Sequence, residues 1–523
     1  MKIFNLGAGH FRALLLAAAF LAPAAREAAA QHHDHSHTQP TPAATPKPSP
    51  QPSPTPKPSP EGEHGASQHT AAAPGAGGVR HDDHGTVDAT KPAAVVDDSH
   101  SGHGGAGSPM TSREGSGTSW QPASTPAYML HKRVGDWTLM FHGEAKIGVN
   151  SQGGPRGVTK FESQNWFMPM ATRKVGRGTL DLRGMFSAEP LTYSGAGSPQ
   201  LFQSGEVYQG RPIVDAQHPH DMLMELSARY TLPVGERGSW FAYVGYPGEP
   251  ALGPVAFMHR ASASENPAAP LAHHLQDSTH VAFGVFTTGF TYRWLKVEGS
   301  VFNGREPDED RYGFEAGPWN SRSLRVSVAP NANWVFQYSY GLLKNPELLH
   351  EGDTHRQTAS VQYNRPLARG NWATSLIWGR NREGHGGHTF RLNSYLLEST
   401  LNFADRNYLY GRAELVDKKD ILKPEDLREL GYGEHAHPQF RIGAYTVGYV
   451  RDLYAGDKYT VGLGGDTTFY SKPEALDAIY GRNPVSWKGF LRIRLGGRGS
   501  GARSRAPESG SRGNERGGEG GDL

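Results

Sequence analysis

The chain has no cysteine among its 523 residues. That excludes disulfide staples, thiolate metal sites, thiol catalysis and a lipid anchor on an N-terminal cysteine. Charge of one sign is also lacking: 53 Lys and Arg stand against 51 Asp and Glu, a net of +2. No strong field therefore points to nucleic acid as a partner. Long apolar runs are missing too. Beyond the first 30 residues none approaches the roughly 18 that a membrane-spanning helix needs, which excludes a helical membrane protein. Catalytic signatures are absent as well, with no Gly-x-Ser-x-Gly elbow, no His-Glu-x-x-His pair and no phosphate-binding glycine loop. The pattern is not that of an enzyme.

What is present divides the chain into four parts. Lys2 and Arg12 flank the start of a short apolar run, Ala13 to Ala22, and Ala28, Ala29 and Ala30 follow it. A charged start, a short apolar core and small residues make residues 1–30 a secretory signal. Residues 31–136 then read as a disordered, Pro- and His-rich periplasmic extension. Proline recurs from Thr45 to Pro60 in Thr-Pro-Lys-Pro-Ser-Pro repeats, which favour extended polyproline geometry because proline fixes φ and lacks a donor. Around that spacer lie His32, His33, His35 and His37, and further histidines from His64 to His103, with aspartates between them. Imidazole and carboxylate together suit labile Cu(II), Zn(II) or Ni(II). A solvated, pH-responsive linker that binds no metal has the same composition.

From Trp137 the pattern alternates. Trp137, Leu139, Phe141, Ala145, Ile147 and Val149 hold one parity; Met140, His142, Glu144 and Lys146 hold the other. Period two over that length describes a strand with two unlike faces. The signature returns down the chain, predicting sixteen strands (14–18) between 137–149 and 487–496. Most are 10–14 residues long, the length of a tilted membrane strand and not the five or six usual in soluble sheets. Short connections such as Val175-Gly176-Arg177 alternate with long ones near 191–219, 249–278, 305–320, 344–354, 419–437 and 471–486. That asymmetry belongs to membrane barrels. A sheet in hydrocarbon must also close on itself, because an open edge would leave its polar backbone unpaired. The fold expected is all-β, a transmembrane antiparallel β-barrel over 137–496, followed by a disordered polar tail over 497–523. A secreted β-solenoid or sandwich array is the soluble alternative, and the strand lengths oppose it.

If the apolar parity faces lipid, the opposite parity lines the lumen. Its cations are Lys146, Arg183, Arg229, Lys296, Arg325, Arg412, Arg492 and Arg494; its anions are Glu144, Asp181, Glu225, Glu298 and Glu414. Opposed charges across a water-filled pore set ion preference, although paired wall charges would look the same in sequence. Histidines recur in the long loops, with His218 and His220 in one, and His259, His273, His274 and His280 in another. Loops meeting at a barrel mouth supply three or four ligands for Zn(II) or Cu(II) if those rings converge; hydrophilic mouth residues are the plainer explanation of each cluster alone.

The stretch Trp137–Gly496 thus resembles bacterial outer-membrane β-barrel proteins of the porin type. Gly117-Thr118-Ser119-Trp120-Gln121-Pro122, together with the His-rich tract, is similar to uncharacterised barrels associated with heavy-metal resistance systems. The resemblance implies a place in the cell outer membrane, among its lipid and lipopolysaccharide, as a channel for small hydrophilic solutes or divalent metal ions. It also implies a homotrimer as one mode of assembly. A receptor, an adhesin or a metal-binding structural barrel is the alternative. Such barrels commonly end in an aromatic residue; here a polar tail follows Gly496, leaving Trp487 and Phe490 to serve from within.

Overall fold

The computed structural model describes residues 113–348, 351–385, 388–433 and 436–497. The signal, His32, His33, His35, His37 and the tail beyond Gly497 lie outside the described residues. A short strand β1 (Leu130–Val134) leads into β2 (Trp137–Ser151), β3 (Thr159–Val175) and β4 (Gly178–Phe186). A hairpin of β5 (Ser198–Tyr208) and β6 (Arg211–Gln217) follows, then β7 (Leu223–Val234), β8 (Gly238–Gly245), β9 (Val285–Tyr292) and β10 (Leu295–Phe302). The second half runs β11 (Ser321–Asn331), β12 (Trp334–Leu343), β13 (Thr354–Leu367), β14 (Gly370–His385) and β15 (His388–Phe403). It ends with β16 (Asn407–Lys418), β17 (Phe440–Ala455), β18 (Tyr459–Ser471) and β19 (Val485–Leu495).

Sixteen of these, β2–β4 and β7–β19, pair in antiparallel order, and β19 returns to β2 from Trp487 opposite Ser151 to Arg494 opposite Glu144. The sheet is a closed barrel. Closure satisfies every strand edge, the condition that hydrocarbon imposes. β1 continues the line of β19 along β2, with Leu130 opposite Phe141. Residues 113–136 therefore belong to the folded unit, and strand pairing starts before Trp137.

Alternation decides which side chains meet the outside. In β12, Trp334, Phe336, Tyr338 and Tyr340 are exposed while Val335, Gln337 and Ser339 are buried. Leu226, Leu324, Val447 and Leu463 are each more than half exposed on the outer face. A belt of bare leucine and valine is what lipid, and not water, would cover. Trp240, Tyr292, Trp294, Trp334 and Trp487 stand exposed near strand ends as expected of an aromatic girdle. Tyr408 does not: it is buried, with the Arg492 guanidinium 4.6 Å above its ring. Met224 shares the parity of the exposed Leu226 and yet turns inward, because the β4–β7 register shifts between Met185 and Phe186.

The short turns gather at one end of the barrel and the long connections at the other. The connection from β8 to β9, residues 246–284, turns back into the barrel, where Ala251, Val255, Phe257, Arg260 and Leu271 are all buried. A second insertion enters from the short-turn end. Residues 113–121 form a loop closed by a bridge between Glu114 and Trp120, and Arg113 Nη1 donates to the Asn331 carbonyl at the β11–β12 turn.

Candidate functional site

The thirteen charged residues expected on the lumen side all face the interior, none more than 9% exposed. Most of them bond directly to one of the two insertions. Arg325 shows the construction. Its Nε donates to Glu298 of the neighbouring strand at 2.9 Å, while its other nitrogens reach Ser119 Oγ and Thr118 Oγ1 of the N-terminal loop and the Gly253 carbonyl, each at 2.9 Å. Lys296 shares Glu298 at 3.0 Å and donates to the Thr118 carbonyl. Arg183 donates to the Gly117 carbonyl, and Arg229 pairs with Glu114.

The β8–β9 loop is fixed in the same way. Glu265 bridges Arg492 and Arg494 of β19, and Arg494 also holds Glu144, which Lys146 contacts. Arg260 is wholly buried, donating to Glu398 at 2.5 Å, Asp277 at 2.9 Å and the Val255 carbonyl at 2.8 Å. Arg412 takes the other oxygen of Glu398 at 3.2 Å, and Glu414 accepts the Ala272 amide at 3.0 Å. Asp181 accepts from Thr172 at 2.6 Å, and Glu225 from Ser227 at 2.6 Å and Tyr243 at 3.0 Å. Buried charges of this kind persist only when paired and hydrogen-bonded. Glu249, behind the N-terminal loop, accepts from Ser119 at 2.8 Å, and burial pushes its carboxyl up to about 7 against the opposing pull of Arg325.

Two small chambers lie at opposite ends of the interior. One, of about 80 Å³, lies toward the long loops and is lined by Glu206, His274, Glu306, Arg356 and Lys418. The other, of about 90 Å³, lies toward the short turns and is lined by Met168, Met170, Met258, His142, His259 and Arg494. Around the latter, Met140, Met168, Met170, Met185, Met224, Met258 and Met129 form one cluster with Trp166. His259 Nε2 stands 3.4 Å from Met185 sulfur, and burial lowers its imidazole to about 3, so it is neutral. Sequence reading missed this cluster. Its signal was methionine on the inner parity of β2, β3 and β4. Thioethers pack irregular spaces well and also suit soft ions, and the contacts fit both.

The loop histidines divide. His218, His220, His273, His274 and His280 come together from two connections, whereas His259 joins His142 and Trp166 lower in the lumen. His355 bonds Tyr340 on the outer face, and His437 pairs with Asp420. His350 and His435 fall outside the described residues. Gly205, at φ +136°, lets the chain pass the His274 ring, where a Cβ would lie 2.4 Å from Nε2.

No family model and no curated relative matches the sequence. Among solved structures, the anion-selective porin from Comamonas acidovorans is similar at 11% identity and a TM-score of 0.46, over 68% of this chain and 99% of that one. OmpF of Salmonella typhi in complex with daunomycin is similar at 10% identity and 0.42, over 70% and 100%. OmpT of Vibrio cholerae is similar at 7% identity and 0.40, over 70% and 100%. The assignment to a sixteen-stranded antiparallel barrel rests on the strand pairing itself.

Proposed function

We propose that the protein is a porin-like channel of the outer membrane, passing small hydrophilic solutes or ions through a lumen narrowed by the 246–284 loop and the 113–121 loop. One observation carries the reading: a closed barrel with an apolar exterior holds an inner wall built of charged side chains. An apolar belt places such a barrel in lipid, and a charged interior has no use as a hydrophobic core. Sixteen strands enclose enough space for water once side chains and loops move aside. The match of loop carboxylates to wall cations makes the constriction a fitted part of the barrel.

Purified protein in planar bilayers tests this reading. Stepwise conductance that falls on adding small neutral solutes able to enter the lumen supports it; electrical silence of correctly folded protein, and of variants with the loops freed, overturns it. Near-complete burial of the thirteen wall charges favours a second reading, a closed structural barrel, and that silence is its signature.

A further inference from the structure

Two connections deliver five imidazoles to one place. His218 opens the β6–β7 connection and His220 lies at its middle; His273 and His274 open a single helical turn, His273–Gln276, and His280 ends the 3-10 turn after it. Their ring centres form a closed cycle. The distances are 5.1 Å from His280 to His220, 6.1 Å to His218, 5.5 Å to His274, 5.2 Å to His273 and 5.2 Å back to His280. Phe257 packs on three of the rings and keeps that side dry.

Each ring is anchored through Nδ1. His220 contacts Glu189 at 2.7 Å, His273 contacts Asp277 Oδ1 at 2.7 Å, and His280 contacts the Asp277 carbonyl at 2.8 Å. His274 contacts Glu306 at 3.3 Å and His218 the Pro219 carbonyl at 3.3 Å. These partners are acceptors, so a neutral ring held by one of them carries its proton on Nδ1 and its lone pair on Nε2; His218, whose Nε2 meets the Glu206 carboxylate, is outside that assignment. The Nε2 atoms of His220, His273, His274 and His280 are buried with no hydrogen-bond partner; that of His218 faces Glu206 at 3.1 Å. His220 is 4% exposed and His273 not at all.

We infer that this ring is a binding site for one divalent transition-metal ion of the Zn(II) or Cu(II) class, held through Nε2 of three or four of the five histidines. An unsatisfied buried acceptor forfeits its hydration without return, and four in one place are more than a purely structural cluster would keep. A water molecule has two protons to offer; a metal ion takes three or four lone pairs at once. Nδ1 bound to carboxylate or carbonyl is the outer-shell arrangement that orients a metal-binding imidazole. Three of the five neighbouring pairs, at 5.1–5.2 Å, have the spacing of a bound set, and the two that include His218, at 6.1 and 5.5 Å, stand wider. An imidazole bound at about 2.1 Å has its centre about 3.2 Å from the ion, so rings at the tetrahedral angle stand about 5.2 Å apart. As placed, no three histidine or carboxylate side chains among the described residues enclose an ion, so binding draws the rings inward. Neutral imidazole with no sulfur in the ring fits Zn(II) or Cu(II) and not Cu(I). The site does not depend on the barrel conducting.

The test uses the full chain in detergent, with all ten tract histidines, His32, His33, His35, His37, His64, His69, His81, His84, His100 and His103, replaced by glutamine to remove tract binding. Zinc chloride is titrated calorimetrically against a competing chelator, and Co(II) is added separately to read geometry from its visible bands. One tightly held equivalent with tetrahedral Co(II) bands, weakened at least 100-fold by His273→Gln with His280→Gln, is the expected result. If that pair fails to fold, judged by heat-modifiable electrophoretic migration, Glu189→Gln leaves every ligand in place and weakens binding about 10- to 100-fold. Zinc-edge absorption on the tract variant itself reports three or more imidazole nitrogens. No equivalent surviving the chelator, fewer than three imidazoles at the ion, or affinity indifferent to these substitutions overturns the inference.

Discussion

Arg260→Ala is the sharpest perturbation of the constriction. Arg260 is fully buried in the infolded loop and ties it to the wall at Glu398, to its own later turn at Asp277, and to the Val255 carbonyl. Truncation leaves Asp277 to His273, and Glu398 to Arg412 and Ser262. Breaking a buried pair from one side costs about 3–5 kcal/mol, because the remaining charge stays buried without its partner. The sixteen strand pairings do not involve this side chain, so the cost falls on loop docking. At about 1.4 kcal/mol per tenfold, the undocked population rises between roughly one hundred and a few thousandfold. Amide hydrogen exchange across 246–284 reads that change directly, with strand amides as the internal reference. Single-channel conductance should rise in parallel, and Arg260→Lys should lie between variant and parent. Unchanged loop protection in a folded Arg260→Ala barrel would refute the reasoning, since the pairs would then hold nothing in place.

Three further outcomes follow from the same geometry. Glu249 has its carboxyl raised to about 7 by burial, so the folded state prefers it protonated; the contribution, about 3 kcal/mol, is full below about pH 4.5 and lost as pH rises to about 7. N-terminal loop protection should fall over that window in the parent and stay flat in Glu249→Gln. Glu265→Ala leaves Arg492 with Asp452 alone and Arg494 with Glu144 alone, so loop protection near 265 should drop about 10²-fold or more with strand protection unchanged. Val447→Arg on the outer face of β17 should cost about 2–4 kcal/mol in reversible folding into lipid vesicles; no loss there would put that face in water.

The barrel was legible because a strand's two faces are written residue by residue. Alternation predicts β15 at 388–403 and β16 at 407–418, the limits observed. It failed where backbone geometry intervened: a register shift no residue type announces turns Met224 inward, and Tyr408 sits on the inner parity of β16 despite its terminal position. The infolded loops were not legible. Glu265 and Arg492 are 227 residues apart, and nothing local ties an acid in one loop to arginines on the last strand. The histidine ring is intermediate. His218, His220, His273 and His274 were visible as candidates, but their meeting depends on one loop turning inward, a tertiary event.

The interior is arranged so that dryness and pairing support each other. Two unit charges 4 Å apart attract by about 4 kcal/mol at an effective dielectric of 20 and about 1 kcal/mol in water. Every wall arginine that meets a loop carboxylate is thus held firmly only while water is excluded, and water is excluded only while the loop is seated. Losing Arg260 or Glu265 admits water beside the next pair and weakens it in turn, since Glu398 and Glu265 each serve two arginines. Loop release should therefore be cooperative, with conductance in discrete steps and single-site costs that do not add across these shared carboxylates. A seat built of apolar contacts would lack this property, because its strength does not collapse when one neighbour is wetted. Charged walls sealed by charged loops make the lumen a two-state interior, and the shared carboxylates are where its coupling lies.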